Sequence, residues 1–206
     1  MPRLLMCKHE PCRGRWRALR DAIQSRVSTN LLAHEHASGT TMQETSSMAP
    51  ASLSTIYNML PLADDLGTAG QPTSAQFAAI KAAGYDVVIN LATGKTPRDL
   101  PNEADVVAAQ GMEYIHIPVV WEHPTEADLA CFFEAMDATQ HKKRFVHCIA
   151  NMRVSAFVFL YRVLRQGMPV EEARATMAKI WQPNPVWHQF INDALVHGQR
   201  QQHREA

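Results

Sequence analysis

A chain of 206 residues is long enough for one well-buried domain with an extension, and short for two. Its 20 lysines and arginines balance 20 aspartates and glutamates, which excludes a broad polyanion-binding surface and leaves room for a local anion site, so no nucleic-acid partner is expected. No stretch approaches the roughly 18 consecutive apolar residues of a spanning helix, nothing resembles a secretory signal, and the four cysteines (Cys7, Cys12, Cys131, Cys148) form no dense disulfide framework. A soluble protein of a reducing, cytoplasmic compartment is expected, with no membrane partner.

Residues 1–54 differ from the rest and are expected to be a disordered or non-native extension. The start is basic, with one weak helical pattern through Leu19, Ile23 and Val27. HASGTTMQETSSMAPAS, from His36, has the composition of a linker, and Met42 or Met48 is a plausible first residue of the domain proper. Cys7, His9 and Cys12 match no paired zinc-ligand spacing, and no metal is expected.

The packed domain is expected over residues 55–198, with a polar tail at 199–206. Ile56–Leu60 and Leu66–Ala69 read as short strands around a turn at Asp64 and Asp65. Thr73-Ser-Ala-Gln76 is a capping box opening a helix with Phe77 and Ile80 inward, closed by Gly84. Asp86–Leu91 is a buried strand by length and β-branching. A helix at 102–110 ends at Gly111, and Glu113–Pro118 is the next strand. Thr125 caps a helix with Leu129, Phe132, Phe133 and Met136 at helical spacing. Arg144–His147 is another strand, and helices follow at about 153–166, 170–180 and 184–197. Strands alternating with helices predict an α/β fold of three layers, a mainly parallel central sheet with helices on both faces.

In such a sheet, ligands bind beyond the carboxyl ends of strands. Cys148 stands there, at the end of RFVH, followed by the turn Ile149, Ala150, Asn151 and Met152 and by a helix opening at Arg153. Free amides at a helix start attract an anion, and the same field favours thiolate over thiol. Arg153 adds a planar fork of donors matched to phosphoryl oxygens. A thiolate beneath a clamped tetrahedral anion can attack phosphorus and form a cysteinyl-phosphate. Ser155 is placed to hydrogen-bond the sulfur and ease its departure, and His147 to fix the backbone beside it. The contrary reading makes Cys148 a core cysteine and Arg153 a surface charge.

The segments LGTAGQPT, VVINLA, YIHIPV and HCIANMRVS resemble the cysteine-dependent tyrosine and dual-specificity phosphatases, and within them the bacterial group related to the β-lactamase-hydrolase-like protein. The resemblance covers about Ile56 to Val196. It implies a phosphatase fold, a phosphorylated protein or small phosphate ester as substrate, a cysteinyl-phosphate intermediate and no cofactor. Two features depart from the superfamily signature: four residues rather than five separate Cys148 from Arg153, and Asn151 replaces the usual glycine. Asparagine is the next residue most tolerant of positive φ.

Such an enzyme needs a general acid, expected on the loop after EYIHIP. Glu122 and Asp128 are the first candidates, Asp128 being also the N3 residue of the helix capped by Thr125. His123, Asp99 and Glu103 are further alternatives. Trp121 and Pro124 can wall the pocket, Gln182 can order a water, and Cys131 is expected to be inert. A rhodanese-like sulfurtransferase, favoured by the short loop, and a non-catalytic phospho-ligand binding module remain as alternatives.

Overall fold

The computed structural model describes residues 52–205. The expectations for the N-terminal extension, up to residue 51, lie outside the described residues. A single 3-10 turn at Leu53–Thr55 leads into strands β1 (Leu60–Ala63) and β2 (Leu66–Ala69), helix α1 (Ser74–Ala82), β3 (Val87–Asn90), α2 (Glu103–Ala109), β4 (Glu113–His116), α3 (Glu126–Ala138), β5 (Arg144–His147), α4 (Met152–Leu164), α5 (Val170–Met177) and α6 (Pro185–Glu205). The strand order is β1-β2-β5-β3-β4, with β1 antiparallel to β2 and every other pairing parallel. This is the three-layer α/β architecture expected from the sequence.

Three boundaries differ. The first strand is Leu60–Ala63 and not Ile56–Leu60, because Asn58 takes a left-handed backbone (φ 50°) that stops an extended run. Pro61 is tolerated in β1 because β1 is an edge strand with one neighbour, and the register slips just after it. Leu53 packs against the core cluster, so the packed domain begins at least two residues before 55. At the other end α6 continues to Glu205 through a run of polar helix formers.

Alternation along the strands divides the core. One face, with Val88 and Phe145, joins Phe77 and Ile80 of α1 and Val107 of α2. Gln76 accepts from the Thr73 amide at 2.8 Å, completing the expected capping box. Around α4 the aromatic rings of Phe132, Phe157, Trp187 and Phe190 form a second cluster, with centroids 5.6–6.0 Å apart. Every residue of α4 from Arg153 to Arg162 is buried, so this helix is the spine of that layer. The central strand β5 runs directly into it.

Candidate active site

Because β2 and β3 flank β5, the loops leaving their carboxyl ends surround residues 148–152. The Cys148 amide donates to Ala69 O at 3.3 Å and the Gln71 amide to Ile149 O at 3.2 Å, while Gly70 bridges to Ala150. On the other side the Leu91 amide donates to His147 O at 2.9 Å and the Val119 amide to Leu91 O at 3.2 Å. These two rungs bring the loop after β4, which carries Trp121 and Glu122, to the same end of the sheet as Cys148.

Cys148 is 1% exposed and free. Asn151 is fully buried with φ 64°, the left-handed conformation that the sequence led one to expect where a glycine usually stands. It serves as the residue before helix α4, turning the chain so that the Met152 and Arg153 amides open the helix. Its side chain is anchored as well, with Nδ2 donating to Asn58 O at 2.8 Å and to Thr68 Oγ1 at 3.1 Å. Ile149, Ala150 and Met152 are half-buried around the mouth of the loop.

Arg153 is 7% exposed, and its guanidinium lies over the Trp121 ring, 5.6 Å from the centroid. Its Nε has no hydrogen-bond partner among the described residues. Ser155 is buried, but its hydroxyl donates to Met152 O at 2.9 Å and accepts from Trp181 Nε1 at 3.0 Å. Its proton is directed at the loop backbone and not at the sulfur, which departs from the expected Ser155–thiolate bond. Trp181 is the contact that sequence reasoning missed, since nothing at a spacing of 26 residues announces it.

His147 is expected to fix the backbone beside the cysteine, but its fully buried imidazole meets a side chain instead, with Nε2 3.0 Å from Glu103 Oε1 and Nδ1 without a partner among the described residues. Asn90 Nδ2 donates to the same oxygen at 2.8 Å and to Tyr114 Oη at 3.0 Å, and Gln71 Nε2 donates to Glu103 Oε2. Burial acts to raise the Glu103 carboxyl, but the His147 charge and the hydrogen bonds from His147 and Gln71 outweigh it and hold it below the ordinary carboxylate value. Burial, followed by the Glu103 charge, pushes Tyr114 upward. Glu103 is therefore buried as the partner of His147, Asn90 and Gln71.

Of the other acid candidates, Asp128 is engaged in the cap of α3: its carboxylate accepts from Thr125 Oγ1 at 2.7 Å, and its amide donates back to that hydroxyl at 3.1 Å. Glu122 and His123 are exposed on the loop before the helix. Asp99 accepts from the Thr96 amide and lines a groove of about 590 Å³ with Tyr57, Gln71, Arg98 and Ile149, beside the cysteine loop. Gln182 is exposed in the turn before α6, and Cys131 is buried on α3. Among the described residues no group of three or more His, Cys, Asp or Glu forms a metal cluster. None of their helices is long and apolar enough to cross a membrane.

The comparisons bear on the fold and the family. A Shewanella putrefaciens CN-32 structure described as a candidate phosphatase (DUF442) is 35% identical, with a TM-score of 0.66 over 70% of this chain and 95% of that one. The β-lactamase hydrolase-like protein of Xylella fastidiosa Temecula1 is 33% identical over 113 residues, 53% of this chain and 26% of that protein. The corresponding Agrobacterium fabrum protein is 34% identical over 102 residues, 48% and 23% respectively. The match thus spans about a quarter of the length of these curated relatives. Pseudomonas aeruginosa TpbA, solved with phosphotyrosine in a cysteine-to-serine form, shares the fold at a TM-score of 0.52 and 14% identity, over 74% of this chain and 90% of that one. A family model described as a DSP-PTPase phosphatase fused to NAD+ kinase matches residues 65–189, which hold all five strands but β1 together with the cysteine loop and the arginine, and the chain belongs to that phosphatase family.

Proposed function

We propose that this domain hydrolyses phosphomonoesters through a cysteinyl-phosphate. The observation that carries the proposal is Arg153: a guanidinium almost fully buried, resting on an indole and lacking any carboxylate partner among the described residues, five positions beyond a buried free cysteine. A buried charge requires a counter-charge. A phosphoryl group held by the amides at the start of α4 supplies one, and its phosphorus then sits above Cys148.

Cys148 Sγ attacks phosphorus, the P–O bond to the leaving group breaks, and a carboxylic acid protonates the departing oxygen. Water then attacks the cysteinyl-phosphate, the same carboxylate takes its proton, and the S–P bond breaks to return Cys148 and release phosphate. Glu122 is the better choice of acid, because Asp128 is committed to the helix cap. The substrate is a phosphorylated protein or a small phosphate ester, and a reducing compartment suits a free nucleophilic cysteine.

The test is hydrolysis of an aryl phosphate by purified protein in the presence of a chelator. Turnover should survive chelation, vanish in Cys148→Ser, and fall by about a hundredfold in Arg153→Lys, because a point charge cannot replace a bidentate fork. Full activity in Cys148→Ser would overturn the covalent route. Efficient sulfur transfer from thiosulfate to cyanide without phosphatase activity would favour the sulfurtransferase alternative.

A further inference from the structure

Three tryptophans meet where the loop after β4 crosses the start of α4. The Trp121 ring lies 5.2 Å from that of Trp181 and 5.3 Å from that of Trp187, centroid to centroid. Trp187, on the first turn of α6, is fully buried and donates Nε1–H to Trp121 O at 2.9 Å. Trp181, in the turn before α6, donates to Ser155 on α4. The face of Trp121 carries the Arg153 guanidinium. One loop residue is therefore held by its carbonyl and by its ring, and itself holds the arginine.

A loop that opens and closes over a site is ordinarily drawn from weakly packed segments. This one is not. Moving Trp121 outward would break two ring contacts, expose a buried indole N–H and strip the arginine of its aromatic support. Glu122 is the next residue, so the same anchor sets where the acid stands.

On this basis, and resting on the phosphomonoester reading above, we infer that Trp121 is a positioning residue, fixed by Trp187 and Trp181. It presets Arg153 for the phosphoryl group and the acid-bearing loop for proton transfer before substrate arrives. Phosphate then binds to a finished site in one step, without a closing motion.

Stopped-flow tryptophan fluorescence of the Cys148→Ser protein mixed with inorganic phosphate tests this directly. A single phase whose rate rises linearly with phosphate concentration is expected. A second, saturating phase would reveal a closing step and overturn the inference while leaving the phosphatase reading intact. Failure to bind phosphate at all, by fluorescence and by calorimetry, would overturn both.

Variants separate positioning from packing. Trp187→Phe keeps a ring but removes the bond to Trp121 O, and should slow hydrolysis of alkyl phosphates about fivefold while affecting aryl esters with good leaving groups less. Trp121→Leu should weaken phosphate binding about tenfold, and Trp121→Phe should restore most of it. If these variants lower the melting temperature yet bind phosphate and discriminate leaving groups like the parent, the cluster is packing alone and the inference fails.

Discussion

Asn58 and Asn151 lie 93 positions apart and hold each other's turns: Asn151 Nδ2 donates to Asn58 O at 2.8 Å, and Asn58 Nδ2 donates to Ala150 O at 3.1 Å. Both have left-handed backbones, φ 50° and 64°, where asparagine is the most readily accommodated residue after glycine. The cysteine loop is thus braced by a turn that precedes the first strand.

Asn151→Ala should lose two hydrogen bonds and gain backbone strain, lowering stability by about 2–3 kcal/mol. Asn151→Gly should relieve the strain and recover part of that loss, yet remain slow, because the bonds from Asn151 Nδ2 to Asn58 O and Thr68 Oγ1 are gone and only the Asn58–Ala150 half of the brace is left. Urea midpoints together with turnover check both. Equal stability for the two variants would contradict the left-handed requirement.

Gly70 should tolerate no side chain. A Cβ there would stand 2.8 Å from Ile149 O, 2.9 Å from Tyr57 Cδ1 and 3.0 Å from Tyr57 O, and two of these are backbone atoms that cannot swing aside. Gly70→Ala is expected to cost about 1–3 kcal/mol and to displace the cysteine loop, seen as a lower melting temperature with a larger proportional loss of activity.

Glu103 gives the fold a dependence on acid. Its folded-state value is depressed against burial by His147, so its contribution is fully present above the unfolded carboxylate value of about 4.3 and is lost as pH falls through the folded value. Glu103→Gln should therefore be less stable than the parent at neutral pH, by about 1.5–3 kcal/mol, and the difference should shrink as pH drops below about 4. Melting temperature followed across pH measures it. A constant difference would show that Glu103 is not ionised in the fold.

Glu122→Gln should reduce turnover of esters with basic leaving groups by about a hundredfold and spare those whose leaving group needs no proton. Asp128→Asn should instead cost about 1 kcal/mol of stability through the weakened cap of α3. Leaving-group series on both variants decide the roles, and the reverse pattern would make Asp128 the acid.

The alternating elements were legible because β-branched runs such as VVIN and capped helices such as the one after Thr73 are local signals. So was the Cys148–Arg153 loop, down to the left-handed Asn151. Contacts across the sheet were not legible. Glu103 stood as an acid candidate until its carboxylate met His147, 44 positions away. The hydroxyl of Ser155, assigned to the sulfur from proximity in sequence, was claimed by Met152 O and by an indole from beyond α5. Tyr57 and Asn58 fell inside the expected strand Ile56–Leu60, and the bonds that hold them, from the Gly70 amide to Tyr57 O and between Asn58 and the cysteine loop, come from residues remote in sequence.

The central place of β5 in the strand order ties chemistry to global unfolding. Its four residues are buried and bonded on both edges, so its amides should exchange with deuterium only when the whole sheet opens. Cys148, one residue beyond, is reached either through the mouth of its loop or by that same global event. A slow alkylating reagent too bulky for the mouth would then label the cysteine at the rate at which the domain unfolds, making that thiol a clock for the fold.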